Sequence, residues 1–185
     1  ITCCNRKHRR KVTWCIHTIR IRCHKIRRCI WEMEKSGLKN IIREKTFDSY
    51  AATEPWQKTI KAGAVAYAEH PEGWLLFCGQ PGSGKTHLCT AIARHRLLAG
   101  DEVRYMAWRD KVAEIKALSL DNDRRAEILQ VYKTVQILYI DDLFKIGRSA
   151  DGTATPTAAD VGIAFEILNQ RYINHLTTII STEKM

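Results

Sequence analysis

Apolar residues fall along the chain in short blocks, and their spacing alternates between strand-like and helical. Trp74-Leu75-Leu76-Phe77-Cys78 is a compact apolar run of the kind that forms a buried parallel strand, and His87 to Leu98 follows with Leu88, Ile92, Leu97 and Leu98 at roughly helical spacing. Gly100-Asp101 ends that helix, and Glu102 to Trp108 alternates as a second strand. Two polar helices, Arg109 to Leu118 and Asp123 to Tyr132, are expected on either side of an Asp121-Asn122 break. Val135 to Asp142 is a third strand. After a small, polar loop from Arg148 to Thr155, Pro156-Thr157 opens a long helix, capped by Thr155 or Thr157 and running to Arg171-Tyr172. Thr177 to Ile180 is a last strand, tipped by Ser181-Thr182-Glu183.

Upstream, Leu38 to Lys45 reads as a short helix or linker and Phe47 to Tyr50 as an extended lead-in. Thr53 is the expected cap of a helix with Pro55 just inside and Trp56, Ile60, Ala64, Tyr67 and Ala68 on one face, ending near His70-Pro71. Trp56 and Phe47 are candidates to cover a nucleotide base, with ordinary core packing as the alternative. Strands separated by helices predict an α/β layer around a parallel sheet.

The joint between the first strand and its helix carries the chemistry. Gly79 to Thr86 reads G-Q-P-G-S-G-K-T, a phosphate loop in which glycines let successive backbone N–H groups turn inward around an anion at a helix N-terminus. The nucleotide-binding candidates are therefore Gly79, Gln80, Pro81, Gly82, Ser83, Gly84, Lys85, Thr86 and His87. Lys85 reaches the outer phosphates as a catalytic cation, and the Thr86 hydroxyl ligates Mg²⁺; ATP and Mg²⁺ are the expected cofactors. Apolar residues from Val135 onward carry Asp141 and Asp142 to a strand's C-terminal edge, where ligands of open α/β sheets bind. Asp141 is the second metal candidate, and Asp142 is the candidate base that orients and deprotonates the attacking water. Asp142 is a methylene shorter than the Glu usual at this place, which predicts slow hydrolysis. If the last strand lies between the other two motif strands, its polar tip meets the γ-phosphate, and Thr182 is the candidate there.

Composition changes the picture at one end only. The chain has 185 residues, is 45% hydrophobic and has a formal charge of +10. From Arg6 to Arg28 there are ten basic residues with no acid before Glu32, so the excess charge is confined to the first 30 residues. The same segment holds Cys3, Cys4, Cys15, Cys23 and Cys29 among His8, His17 and His24. Their irregular spacing suits a zinc knuckle poorly. A basic arm on DNA phosphates, a remnant zinc site and a misread start are the readings left open. The chain divides into this tail at 1–35, a linker and lead-in helix at 36–72, and an ATP-binding core at 73–185. No run approaches the ~18 apolar residues of a membrane span, and no secretory signal is present, so a cytoplasmic location is expected.

Taken together, Gly79 to Leu88, Tyr105-Met106-Ala107-Trp108-Arg109-Asp110, Tyr139 to Phe144, Ala164 to Tyr172 and Thr178 to Glu183 resemble the DnaC/DnaI-type helicase loaders, AAA+ ATPases whose core the IstB transposition helpers share. The resemblance spans roughly residues 36–185. It implies a P-loop NTPase of the AAA+ (ASCE) type, a three-layer sandwich, preceded here by the basic Cys-rich tail. It also implies ATP-dependent binding of a hexameric replicative helicase and single-stranded DNA, and self-assembly through AAA+ interfaces. The resemblance also implies an arginine finger and a second sensor arginine after the last strand, in a C-terminal lid that the residues up to Met185 are not expected to include. Arg148 and Arg171 are the arginines at hand, Arg171 reading as structural, so impaired turnover is expected. The competing functions are an IstB-like transposition helper acting on duplex DNA and a small-molecule kinase, against which the water-directed Asp141-Asp142 pair argues.

Overall fold

The computed structural model describes residues 41–145 and 155–184. The basic tail, most of the Arg148 to Thr155 loop, Arg148 itself, and the start of the first expected helix lie outside them. The element order is α1 (Ile41–Glu44), α2 (Pro55–Glu69), β1 (Trp74–Cys78), α3 (Lys85–Ala99), β2 (Val103–Ala107), α4 (Trp108–Ala117), α5 (Asn122–Thr134), β3 (Ile137–Asp141), α6 (Ala158–Ile173) and β4 (Thr177–Thr182).

The strands form one parallel sheet in the order β1-β4-β3-β2. β4 thus lies between the strand that feeds the phosphate loop and the strand that ends in Asp141. Alternation along each strand splits the core in two. Val103, Tyr105, Ile137, Tyr139 and Ile179 pack with Ala64, Leu88 and Ile92 on the face covered by α2 and α3. Met106, Leu138, Ile140 and Ile180 pack with Val112, Leu129 and Ile167 on the face covered by α4, α5 and α6. Helices on both faces explain why β3 is an unbroken apolar run.

Local chemistry sets the element ends, and several differ from the sequence expectations. The cap of α2 is Glu54 rather than Thr53, because Glu54 and Gln57 form a reciprocal capping box; Pro55 takes the first helical turn as expected. Only Ala64 and Ala68 of the expected α2 face are fully buried, and Trp56 is 49% exposed, so it is not core. Trp108 begins α4 instead of ending β2. Thr157, not Thr155, caps α6, accepting from Asp160 N while the Asp160 carboxylate accepts from Thr157 N. Among the described residues β1 lies at the edge of the sheet with its apolar residues only half covered: Leu75 and Phe77 face α2 and α3, whereas Trp74 and Leu76 are exposed.

Arg171 is the largest fully buried side chain among the described residues and is structural. Its Nε donates to Thr178 Oγ1 at 2.9 Å, and its guanidinium donates to the carbonyls of Tyr132, Val135 and Thr177. It joins the end of α5, the end of α6 and the start of β4. Burial lowers its pKa to about 10.

Candidate nucleotide site

The phosphate loop turns between β1 and α3 with Gly82 at φ 81° and Gly84 at φ 89°. At Gly84 the left-handed backbone is reinforced by crowding: an added Cβ would come 2.7 Å from Tyr50 Cε2. Tyr50 is therefore part of the loop's outer wall. Lys85 opens α3 and folds back, its Nζ donating to Gly79 O and Gln80 O, each at 2.7 Å. The ammonium thus lies inside the curve of the loop, where an anion would find it.

His87, which also lines the space beside the loop, is held from the lead-in side. Its Nε2 lies 2.8 Å from Thr46 O, which can only accept, so Nε2 carries the proton. The ring also meets Tyr50 edge-on at 5.2 Å. Through these contacts the lead-in segment is pinned to the first turn of α3. Phe47 packs against the core with Tyr50.

Strand alternation decides what β3 and β4 bring to the loop. Asp141 shares the α3 side of the sheet with Ile137 and Tyr139, and its Oδ1 accepts from Thr86 Oγ1 at 3.1 Å. Ser181 follows Ile179 on that same side, and its Oγ donates to Asp141 Oδ1 at 2.6 Å while accepting from Asp142 N at 2.9 Å. Thr182 falls on the opposite side with Ile180; its hydroxyl donates to Leu143 O at 2.8 Å and accepts from Lys184 N. The β4 residue brought against the acidic pair is thus Ser181, one position before the expected Thr182.

Two tyrosines complete the setting of Asp141. Tyr139 OH donates to Oδ1 at 2.8 Å and Tyr105 OH to Oδ2 at 3.0 Å. Burial, then the neighbouring Asp141 charge, raises the Tyr105 phenol well above its ordinary value; burial likewise raises Tyr139. Both stay protonated donors. Each opens one of the sequence blocks that carry the resemblance, but neither is singled out there as a site residue; the signal is that Tyr139 is two residues before Asp141 and that Tyr105 is the register partner of Tyr139 on β2.

Asp142 leaves the strand with φ 56° and accepts from Lys145 Nζ at 2.8 Å. Lys145 also pairs with Glu183 at 2.9 Å. Between these groups and the loop lies a cavity of about 320 Å³, lined among others by Lys45, Gly82, Lys85, Thr86, Asp142, Lys145 and Glu183. It combines the phosphate-loop residues with three lysines, Lys45, Lys85 and Lys145, and the two carboxylates of Asp142 and Glu183. A hydroxyl and a carboxylate oxygen side by side at Thr86 and Asp141 suit a small hard cation, which takes oxygen ligands and shares them with phosphates.

Residues 17–185 match the family described as IstB-like ATP binding protein. The chain belongs to that family. YqaM of Bacillus subtilis (strain 168) is 37% identical to this IstB-like chain over 111 residues, 59% of the chain and 33% of YqaM. The replicative helicase loader DnaC of Buchnera aphidicola subsp. Acyrthosiphon pisum (strain APS) is 25% identical over 114 residues, 59% of the chain and 46% of that protein. The chain thus spans less than half the length of these curated relatives. Among solved structures, the DnaC helicase loader superposes with a TM-score of 0.66 at 24% identity, covering 79% of this chain and 80% of that one. At that identity the likeness is one of fold, and the fold is the P-loop AAA+ sandwich expected. Among the described residues, no helix is long and apolar enough to cross a membrane.

Proposed function

We propose that this IstB-like chain is a Mg²⁺-dependent ATPase module that acts in loading a replicative helicase. The observation that carries the ATPase reading is the contact of Thr86 Oγ1 with Asp141 Oδ1 at 3.1 Å, with Asp142 next along the chain. In this reading the backbone from Gly79 to Ser83 and the first turn of α3 hold the phosphates, and Lys85 exchanges its loop carbonyls for the β- and γ-phosphates. Thr86 and Asp141 hold Mg²⁺, which when bound neutralises phosphate charge. Ser181, Tyr105 and Tyr139 fix the Asp141 carboxylate. Asp142 aligns a water on the γ-phosphorus and accepts its proton as the bond to the bridging oxygen breaks and ADP leaves with the electron pair.

The loader assignment rests on the Buchnera relative, a replicative helicase loader, and on the motif order from Tyr105 to Glu183. It implies a hexameric helicase and single-stranded DNA as partners, and assembly of several copies. The IstB-like family itself favours a second reading, a transposition helper that assembles on duplex DNA. Fluorescence anisotropy with labelled single-stranded and duplex oligonucleotides, with and without Mg·ATP, separates the two when combined with gel filtration against a hexameric replicative helicase. A loader binds single strands and co-elutes with the helicase in an ATP-dependent manner. Duplex preference without helicase binding would reject the loader reading.

A further inference from the structure

The turn after β3 is built more rigidly than a connection requires. Asp142 and Phe144 both have left-handed backbones, at φ 56° and 60°, which non-glycine residues adopt at some cost. The turn is bolted to the tip of β4: Leu143 N donates to Ser181 O at 2.8 Å, and Leu143 O accepts from Thr182 Oγ1 at 2.8 Å. Phe144 packs edge-on against Trp108 at 5.4 Å. Lys145 N then closes the turn onto Asp142 O at 2.9 Å. The product of all this restraint is the position of one flexible side chain, that of Lys145.

Its ammonium reaches back into the phosphate cavity, bridging Asp142 Oδ2 and Glu183 Oε1 while remaining 44% exposed. The hydrogen bonds it donates to Asp142 and Glu183, with their charges, raise its pKa, so it stays a cation. A triphosphate entering this cavity sets its terminal anionic oxygens beside Asp142 and Glu183. Like charges at such range repel unless a cation lies between them. Lys85 is bound to the loop carbonyls and Lys45 also lines the cavity, but Lys145 is the lysine that bridges these two carboxylates. A lysine suits the task because its compact charge sits on a four-carbon stem that swings between partners.

We propose that Lys145 is a γ-phosphate contact supplied by the chain itself, leaving the Asp142–Glu183 pair to bind the terminal phosphate of ATP. The diphosphate does not reach it. Lys145 thereby distinguishes ATP from ADP, and its departure frees Asp142 only when a triphosphate is present. This inference rests on the nucleotide-site reading above, and the experiment keeps the two apart.

Affinities for ADP and for a non-hydrolysable ATP analogue are measured by competition with a fluorescent nucleotide for the unaltered chain and for K145A, K145R and K85A. The expected result is an analogue affinity about tenfold weaker in K145A, with ADP affinity unchanged and most of the loss recovered in K145R. Equal affinities for K145A and the unaltered chain, or an equal loss for both nucleotides, would overturn the proposal while leaving the nucleotide site intact. An unaltered chain that binds neither nucleotide, or binds both as well after K85A, would remove the site reading and this inference with it.

Discussion

Ser181 Oγ lies 2.6 Å from Asp141 Oδ1, so the tips of β4 and β3 are joined by a side-chain hydrogen bond directly beside Thr86. Ser181 also receives the Asp142 amide, and one hydroxyl therefore sets the geometry of both acids. Replacing it removes a restraint on the metal-side carboxylate without opening a large cavity. S181A is expected to weaken the Mg²⁺ dependence of ATP binding or turnover by about tenfold, with a change in stability of ~1 kcal/mol or less. T182V should show the reverse: it leaves Leu143 O unpaired, lowers the melting temperature, and keeps the Mg²⁺ response. A Mg²⁺ titration and a thermal melt on each variant test the assignment, and a larger catalytic effect from T182V would reverse it.

Gly84 and Tyr50 make a second coupled pair. Alanine at position 84 must take φ 89° and place its Cβ 2.7 Å from the Tyr50 ring. The strain distorts the first turn of α3, where phosphate N–H groups originate. G84A should abolish ATP binding. Adding Y50A relieves the clash but not the backbone strain, so G84A/Y50A is expected to recover stability without recovering nucleotide affinity, as read by calorimetry and nucleotide titration.

Arg171 is buried and, among the described residues, has no carboxylate partner; its charge is held by the carbonyls of Tyr132 in α5, Val135 in the turn after it and Thr177 in β4, and by Thr178. R171A strands those acceptors and should cost about 3 kcal/mol or more in denaturant unfolding. R171K keeps the charge but not the planar fork, and is expected to recover only part of it. If R171A unfolds at the same denaturant concentration as the unaltered chain, the structural role is lost.

How much of this was legible in the sequence depended on whether the signal was local. Gly79 to Thr86 and the apolar run into Asp141 are each set by contiguous residues, and the structure brings them together where the order of elements implied. The difference between Ser181 and Thr182 depends on which face of β4 each occupies. Both are small hydroxyl residues at a strand tip, and only the parity with Ile179 on the α3 side separates them. The Tyr105 donor requires the pairing of β2 with β3, which no local spacing carries, whereas Tyr139 sits two residues before Asp141 on the same strand. Apolar composition also overstated the burial of β1, because burial depends on neighbours, and among the described residues β1 has a strand on one side only. At α2, the capping box at Glu54 and Gln57 outcompeted the hydroxyl of Thr53, a competition that single-residue cap preference does not register.

Asp142 tests the water-directing role itself. D142N keeps the size and one oxygen of the side chain, so the turn and its bond to Ser181 through Asp142 N should persist. What it loses is the negative charge that pairs with Lys145 and the capacity to take a proton. ATP binding is expected to be retained, and even strengthened, since Lys145 is held by one fewer carboxylate and the γ-phosphate meets one fewer negative charge. Turnover should fall by ~10² or more, the usual scale for losing a positioned general base. Phosphate release at saturating Mg·ATP, set beside nucleotide affinity on the same preparation, separates these effects. Retained turnover would take Asp142 out of the chemistry and leave it as the partner of Lys145 alone.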